Sequence, residues 1–464
     1  MGKTMETSIK RPRYYGLLWR WHFFAALVVI PFVLWQSTTG TLYLWSEWWM
    51  DHSHPELRFV TPNGRVTPPS AQIAAALAGL QKQQTPAPEL AMAHMHMGTA
   101  MEPSGMAMQM AVPRAPDGPP VLDVILADDP ARSTTIVLQS AGGLPYPVFV
   151  DPHRGTYLGS LTALQWLPGW SRSMHGGWPL GSPGSWLLEL GDCWAIVMIL
   201  TGFYLWWPRG RRFPEFLWPR FHLGTRILLR DLHSSMAVLF SGVFLFFLVS
   251  ALPWTSFWGG EVLPRIENAI GQASPAGFST GGASPSQVAS ALPSLDQAVR
   301  EARARGVEGT LDIRLSPWQG AQWWMANLYT QALDHTLEAD TARGHIMSDF
   351  TNAEIPAIPR FVALGIHVHQ ADFGAFNLWL NTAFALSLVW LAITGAASWW
   401  IRRPRNSFGA PPKSSASWPR GLTAGAIAMS VALPIFGLSV LLITAADRLA
   451  RIAIARTSPA EDVT

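Results

Sequence analysis

Five of the 13 histidines in this chain stand at the ends of long apolar runs: His22, His175, His233, His367 and His369. Imidazole is uncommon beside lipid unless it binds something, and its unprotonated nitrogen is a common ligand for zinc, copper and iron. The last two open the stretch Gly365 to Arg403, GIHVHQADFGAFNLWLNTAFALSLVWLAITGAASWWIRR, which carries no charge between Phe373 and Ile401. An uncharged run of that length crosses the roughly 30 Å hydrocarbon core as a helix. Histidine marks one end, and Trp399, Trp400, Arg402, Arg403 and Arg405 mark the other. Positive charge collects on the cytoplasmic side and Trp at the interfaces, so the arginine end is predicted inside and the histidine end outside.

Four more apolar runs must position the remaining histidines: Phe23 to Trp45, Trp186 to Trp207, Ser234 to Trp258 and Gly421 to Ala446. The first follows Lys3, Lys10, Arg11 and Arg13. It is too long for a signal peptide and lacks the small-residue cleavage site, so it reads as a retained helix with its N-terminus inside. Five spans then place the C-terminus outside. The expected divisions are 1–47 (cytoplasmic end and first span), 48–168 (first outer domain, with an insert at 92–110), 169–258 (second and third spans), 259–360 (second outer domain) and 361–464 (last two spans and tail). Pro69 to Gln81 and Asp296 to Arg305 read as outer-domain helices. Ile136 to Gln139, Tyr146 to Leu158 (broken by the turn Asp151-Pro-His-Arg-Gly155), Thr310 to Leu315, Ala321 to Tyr329 and His335 to Met347 read as strands.

The halves repeat. Thr201-Gly202-x-x-x-Trp206-Trp207 matches Thr394-Gly395-x-x-x-Trp399-Trp400, and Asp151-Pro-His-Arg154-Gly155 matches Asp340-Thr-Ala-Arg343-Gly344. Both halves start inside, so the repeat is parallel. Composition agrees with a membrane protein, with 49% hydrophobic residues, 14% charged and 24 Trp in 464 residues. The formal charge of +3 reflects arginine in short loops that orient the spans, and nothing points to nucleic acid. The single cysteine, Cys193, excludes disulfides, cysteine zinc sites and covalent c-type haem.

Topology sorts the histidines into two layers, His22 with His233 inside and His175 with His367 or His369 outside. An iron porphyrin wedged between helices needs axial ligands from opposite sides, and imidazoles from two helices supply them. The expectation is two noncovalent b-type haems, roughly 15–20 Å apart along the membrane normal. Read singly, each histidine is as well explained as an interfacial side chain or helix cap; four at matching ends of a duplicated unit are not. Positions two apart on a helix differ by about 200°, so His367 and His369 cannot both face one porphyrin. The repeat leaves that choice open, since His175 precedes its Thr-Gly by 26 residues and the other two precede theirs by 27 and 25. An ion or proton path would show acids deep in several spans, whereas only Glu189 and Asp192, one turn apart near the outer end of the second span, stand out. They can orient a ligand or carry protons, but read first as polar residues near a helix end. The tract from Met92 to Met110, with Met92, His94, Met95, His96 and Met97, has no packing period, and its thioethers and imidazoles suit Cu(I). His52, His54, His153, His222, His335 and His345 fall in polar contexts and read as surface residues.

Several segments together resemble the PepSY-associated transmembrane proteins: WRWHFFAALVVIPFVLWQSTTGTLYLW, MHGGWPLG with LLELGDCWAIVMILTGFYLWWPRG, LLRDLHSSMAVLF, GIHVHQADFGAFNLWLNTAF and WWIRRPRNSFGAPP. That family includes periplasmic ferric-siderophore reductases with two b-type haems. The resemblance implies His22, His175, His233 and His369 as ligands, leaving His367 near the outer surface beside the substrate. It implies a mainly α integral membrane protein of the bacterial inner membrane, with about five transmembrane helices in a duplicated two-helix arrangement and two periplasmic α+β PepSY-like domains. The family's usual His-Glu-Gly is His369-Gln-Ala371 here, and the Met-rich insert is not a general family feature. The activity implied is reduction of a ferric siderophore or another oxidised metal. The loops 208–230 and 402–420 are too short for a flavin or dinucleotide domain and no Rossmann glycine pattern is present, so quinol or a separate reductase is expected to supply electrons. The competing expectations are a haem-free PepSY protein that binds or regulates a periplasmic partner, and a copper-handling membrane protein.

Overall fold

The structure, a computed structural model, describes residues 14–84, 118–207, 217–273, 282–315, 322–328, 335–351, 353–413 and 418–457. The chain runs α1 (Tyr15–Leu44), α2 (Ser46–Ser53), α3 (Pro55–Arg58) and α4 (Pro69–Gln84). Then come β1 (Val121–Leu126), β2 (Thr134–Gln139), β3 (Pro145–Asp151), β4 (Thr156–Ser160), α5 (Leu167–His175), α6 (Ser182–Trp206) and α7 (Thr225–Ala251). After α8 (Leu263–Ala269) and α9 (Pro285–Ala304) follow β5 (Thr310–Leu315), β6 (Gln322–Leu328), β7 (His335–Asp340) and β8 (Ile346–Thr351). The chain ends with α10 (Ala357–Gln370), α11 (Ala375–Arg402), α12 (Arg420–Ala432) and α13 (Pro434–Thr457).

Among the described residues four helices are long and apolar enough to cross a membrane: α1, α6, α7 with the turn that continues it to Trp254, and α11. Helix α1 packs on α6 and α11, and α7 packs on α11 and α6, which closes a four-helix arrangement. Two expectations change. The last apolar run, Gly421 to Ala446, is not one helix, because Pro434 cannot donate to the ladder and the chain breaks at Leu433 (φ −128°). Leu433 and Phe436 are buried there against Trp194. The histidine-bearing stretch is also broken. Ala371 adopts a left-handed conformation (φ 68°) and Gly374 follows at φ 82°, so His367 and His369 belong to α10 and not to the spanning helix α11.

The two outer segments, expected as two domains, share one sheet of eight antiparallel strands in the order β4-β3-β2-β1-β5-β6-β7-β8. The halves join where Val124 faces Ile313 and Ile125 faces Asp312. Pairing β1 with β5 consumes two edges that separate domains would have left open. Helices α4 and α9 cover one face over Ile73, Val124, Ile136, Leu295, Ile313 and Trp323, and Ser70 of α4 donates to both carboxylate oxygens of Asp296 on α9. The repeated Asp-x-x-Arg-Gly motif is the same turn twice. Asp151 Oδ1 accepts from the N–H groups of His153 and Arg154 before Gly155 (φ 64°), and Asp340 Oδ1 accepts from those of Ala342 and Arg343 before Gly344 (φ 76°). On the other face, Phe149 packs with Met50, Leu161, Trp166 and Leu167, which ties the sheet to α2 and α5 at the C-terminal end of α1.

Candidate functional site

Three threonine-glycine pairs on spanning helices each meet the imidazole of a histidine on another helix. Gly202 lies against His22, Gly395 against His233 and Gly40 against His175; a Cβ at these glycines would approach Cε1 to 3.3, 3.4 and 3.2 Å. The neighbouring hydroxyls fix the rings. His22 Nδ1 is 3.2 Å from Thr201 Oγ1 and 3.1 Å from the Met198 carbonyl, His233 Nδ1 is 3.2 Å from Thr394 Oγ1, and His175 Nδ1 is 3.0 Å from Thr39 Oγ1.

These distances suit one tautomer. Each threonine spends its one proton on a carbonyl of its own helix, Thr39 on Trp35 (2.8 Å), Thr201 on Val197 (2.9 Å) and Thr394 on Trp390 (2.8 Å). With the hydroxyls so directed, their oxygens accept from an Nδ1–H, the tautomer in which Nε2 keeps its lone pair. That is the state of a metal-ligating histidine with its second nitrogen anchored.

The fourth histidine, His369, is the exception, since its Nδ1 is buried without a hydrogen-bond partner. Its position is set from below by α11. Asn381 donates to the carbonyls of Val368 (2.7 Å) and His369 (3.1 Å), and Asn377 donates to Val368 (3.0 Å), so the open end of α10 is satisfied. His369 and His175 meet edge to face with ring centres 6.1 Å apart, and His22 and His233 are neighbours at the other end. Each of the four lies deep in the molecule yet keeps accessible surface, as a side chain lining a gap does.

The chain matches the PepSY-associated TM region over residues 19–402. It belongs to that family. No curated protein matches it.

In this member of the PepSY-associated family the layers are further apart than expected. His22 and Thr39, which mark them on α1, are 17 residues apart, about 25 Å along the axis. The reason is that His175 and His369 sit on the short helices α5 and α10, ahead of the spanning helices. A column of rings runs between the layers: Phe240 and Phe244 (6.3 Å), Phe244 and Phe384 (5.2 Å), Phe384 and Phe247 (4.2 Å), then Phe247 and His369 (4.7 Å).

The other residues singled out in the sequence fall elsewhere. His367 Nδ1 pairs with Asp372 Oδ2 at 2.7 Å, just beyond the His175–His369 pair. Glu189 is fully buried, and its Oε2 accepts from Thr255 Oγ1 (2.6 Å) and the Trp258 N–H (3.0 Å), so it caps the turn after α7. Asp192 is half-buried one turn further along α6. The copper candidates Met92, His94, Met95, His96 and Met97 lie outside the described residues. Among the described residues no group of three or more His, Cys, Asp or Glu gathers to hold a metal ion; paired imidazoles are the arrangement present. His153, read as a surface residue, is instead buried, with Nδ1 2.5 Å from the Arg65 carbonyl and Nε2 2.7 Å from the Pro130 carbonyl. Two carbonyl partners are both satisfied only when both ring nitrogens carry hydrogen, which favours the imidazolium. Sequence reasoning missed Thr39-Gly40, a third copy of a repeated dipeptide, and Asn377 and Asn381, whose signal is amide side chains inside an apolar span.

Proposed function

We propose that this protein is a di-haem b reductase of the bacterial inner membrane, carrying electrons across the bilayer to a ferric siderophore or another oxidised metal on the sheet side. The observation that carries the reading is the two pairs of imidazoles at opposite ends of one helix bundle, three of the four with Nδ1 anchored and Nε2 lone pair free. The sheet-proximal pair brings two imidazoles from different helices together with ring centres 6.1 Å apart, the donor set that a noncovalent haem would need from the protein.

His22 with His233, and His175 with His369, would hold the two haems. Bound there, haem would supply one-electron transfer chemistry. The chain's own groups do the rest. Thr201, Thr394 and Thr39 orient the imidazoles, the adjoining glycines give them room, and the phenylalanine column keeps water out of the space between the layers. The His367–Asp372 pair stands at the sheet-side exit, where an acceptor would approach. Quinol or a separate reductase is the proposed donor.

Haem extraction and an optical spectrum of the purified full chain test this, with two haems per chain expected. His22→Ala or His233→Ala should each remove one haem. His369→Ala should remove the other, and His367→Ala should keep both and slow reduction of the acceptor. A chain without a Soret band would overturn the reading in favour of a haem-free binding protein. Deleting 92–110 should leave the haem spectrum intact and lower copper binding or metal reduction.

A further inference from the structure

His22 and Thr39 are 17 residues apart on α1, and so are His233 and Ser250 on α7. The two helices occupy equivalent places in the repeat, so Ser250-Ala251 stands where α1 has Thr39-Gly40. Resting on the haem reading above, we infer that Ser250 is a positioning residue whose failure to anchor His369 makes the sheet-proximal pair the weaker electron donor to iron, so that electrons settle at the sheet end.

The structure gives the local reason. Thr39 turns its hydroxyl to the carbonyl four residues back (Trp35, 2.8 Å), which leaves a lone pair facing His175. Ser250 turns to the carbonyl three residues back (Phe247, 3.2 Å), and no anchor reaches His369. The Phe247 ring fills the approach, its centre 4.7 Å from that of the imidazole. Helix α10 closes on Ser250 instead through Gly365, where an added Cβ would lie 3.1 Å from Ser250 Cβ.

A ligating imidazole that donates its Nδ1–H to an acceptor is more electron-rich and favours the oxidised metal, so second-shell hydrogen bonds tune the potential. At the far pair both rings are anchored, and His22 has the Met198 carbonyl as well as the Thr201 hydroxyl. At the sheet-proximal pair only His175 is anchored. The far centre therefore takes the lower potential and the sheet-proximal centre the higher. The bland alternative is that the lone Nδ1 of His369 is a small packing defect without redox effect.

Spectroelectrochemical titration of the full-length haem-loaded protein separates the two. His22→Ala leaves the sheet-proximal centre alone and His175→Ala the far one, which assigns the two transitions. The sheet-proximal centre should titrate at the higher potential. Thr39→Val should raise it further, Ser250→Thr should lower it, and neither should move the far centre. A far centre at or above the sheet-proximal one would overturn the inference, as would a sheet-proximal potential unmoved by both substitutions. A wild-type protein with no haem removes the haem reading and this inference with it, a result distinct from two haems in the opposite order.

Discussion

Gly184→Ala probes how closely the sheet-proximal pair depends on backbone packing. Gly184 sits in the first turn of α6, and a Cβ there would lie 2.0 Å from the carbonyl oxygen of Gly177 and 2.9 Å from its carbon. The closest ordinary carbon–oxygen approach is roughly 3.3 Å, so the shortfall is about 1.3 Å. The obstacle is backbone, which no rotamer change relieves. The segment from Gly176 to Gly181 must shift, and it is attached to His175, only two residues before Gly177. Ligand geometry tolerates displacements of about 0.5 Å, so a shift of this size should release the sheet-proximal haem. In an unobstructed helix the same substitution would stabilise by about 0.8–1.0 kcal/mol, whereas overpacking costs about 1–3 kcal/mol. The clash dominates, and the expected net effect is a loss of stability. Haem per chain and thermal melting in detergent read both effects, and retention of the haem proposed at His22 and His233 would show that the chain has folded. Two haems per chain with a melting temperature at or above that of wild type would refute the reasoning.

The carbonyls of Pro130 and Arg65 raise the pKa of His153 above its ordinary 6.5. Its stabilisation is therefore complete below pH 6.5 and fades as pH rises through the folded pKa. Melting of the wild type should rise on acidification from pH 8 to 6, and His153→Gln should flatten that slope; equal slopes in the two proteins would exclude the imidazolium. Phe384→Ala opens the ring column between Phe244 and Phe247 and should cost toward the lower end of about 3–5 kcal/mol in equilibrium unfolding, so a change under about 1 kcal/mol would show that the column does not hold the bundle. Asn381→Leu strips the His369 carbonyl of its side-chain donor and leaves Val368 only that of Asn377; it should cost about 1–3 kcal/mol while emptying only the sheet-proximal centre, and haem loss at the far centre instead would break the link between Asn381 and His369.

Much of this protein was determined locally and could be read from its sequence. A membrane span is a matter of length and charge, so four of the five apolar runs correspond to single helices. The strand Thr310 to Leu315 and the hairpin turn at Asp151 also follow from alternation and turn chemistry within a few residues, whereas the expected strand His335 to Met347 is broken by the same turn at Asp340. The Thr201-Gly202 and Thr394-Gly395 repeat was visible, but its purpose was not, because the partner of Thr201 is His22, 179 residues away. The strand β1 went unread beside the tract that precedes it, and without β1 nothing predicts that β1 pairs with β5 to fuse two expected domains into one sheet. The left-handed break at Ala371 was hidden as well, since alanine carries no turn signal and the carbonyls it exposes are satisfied by Asn377 and Asn381 from the following helix. Chain pattern records which residues must leave water or turn, and it placed the histidines near the ends of the spans. Which threonine, carbonyl or phenyl ring each histidine meets is a contact between distant segments, fixed only when the helices close on one another.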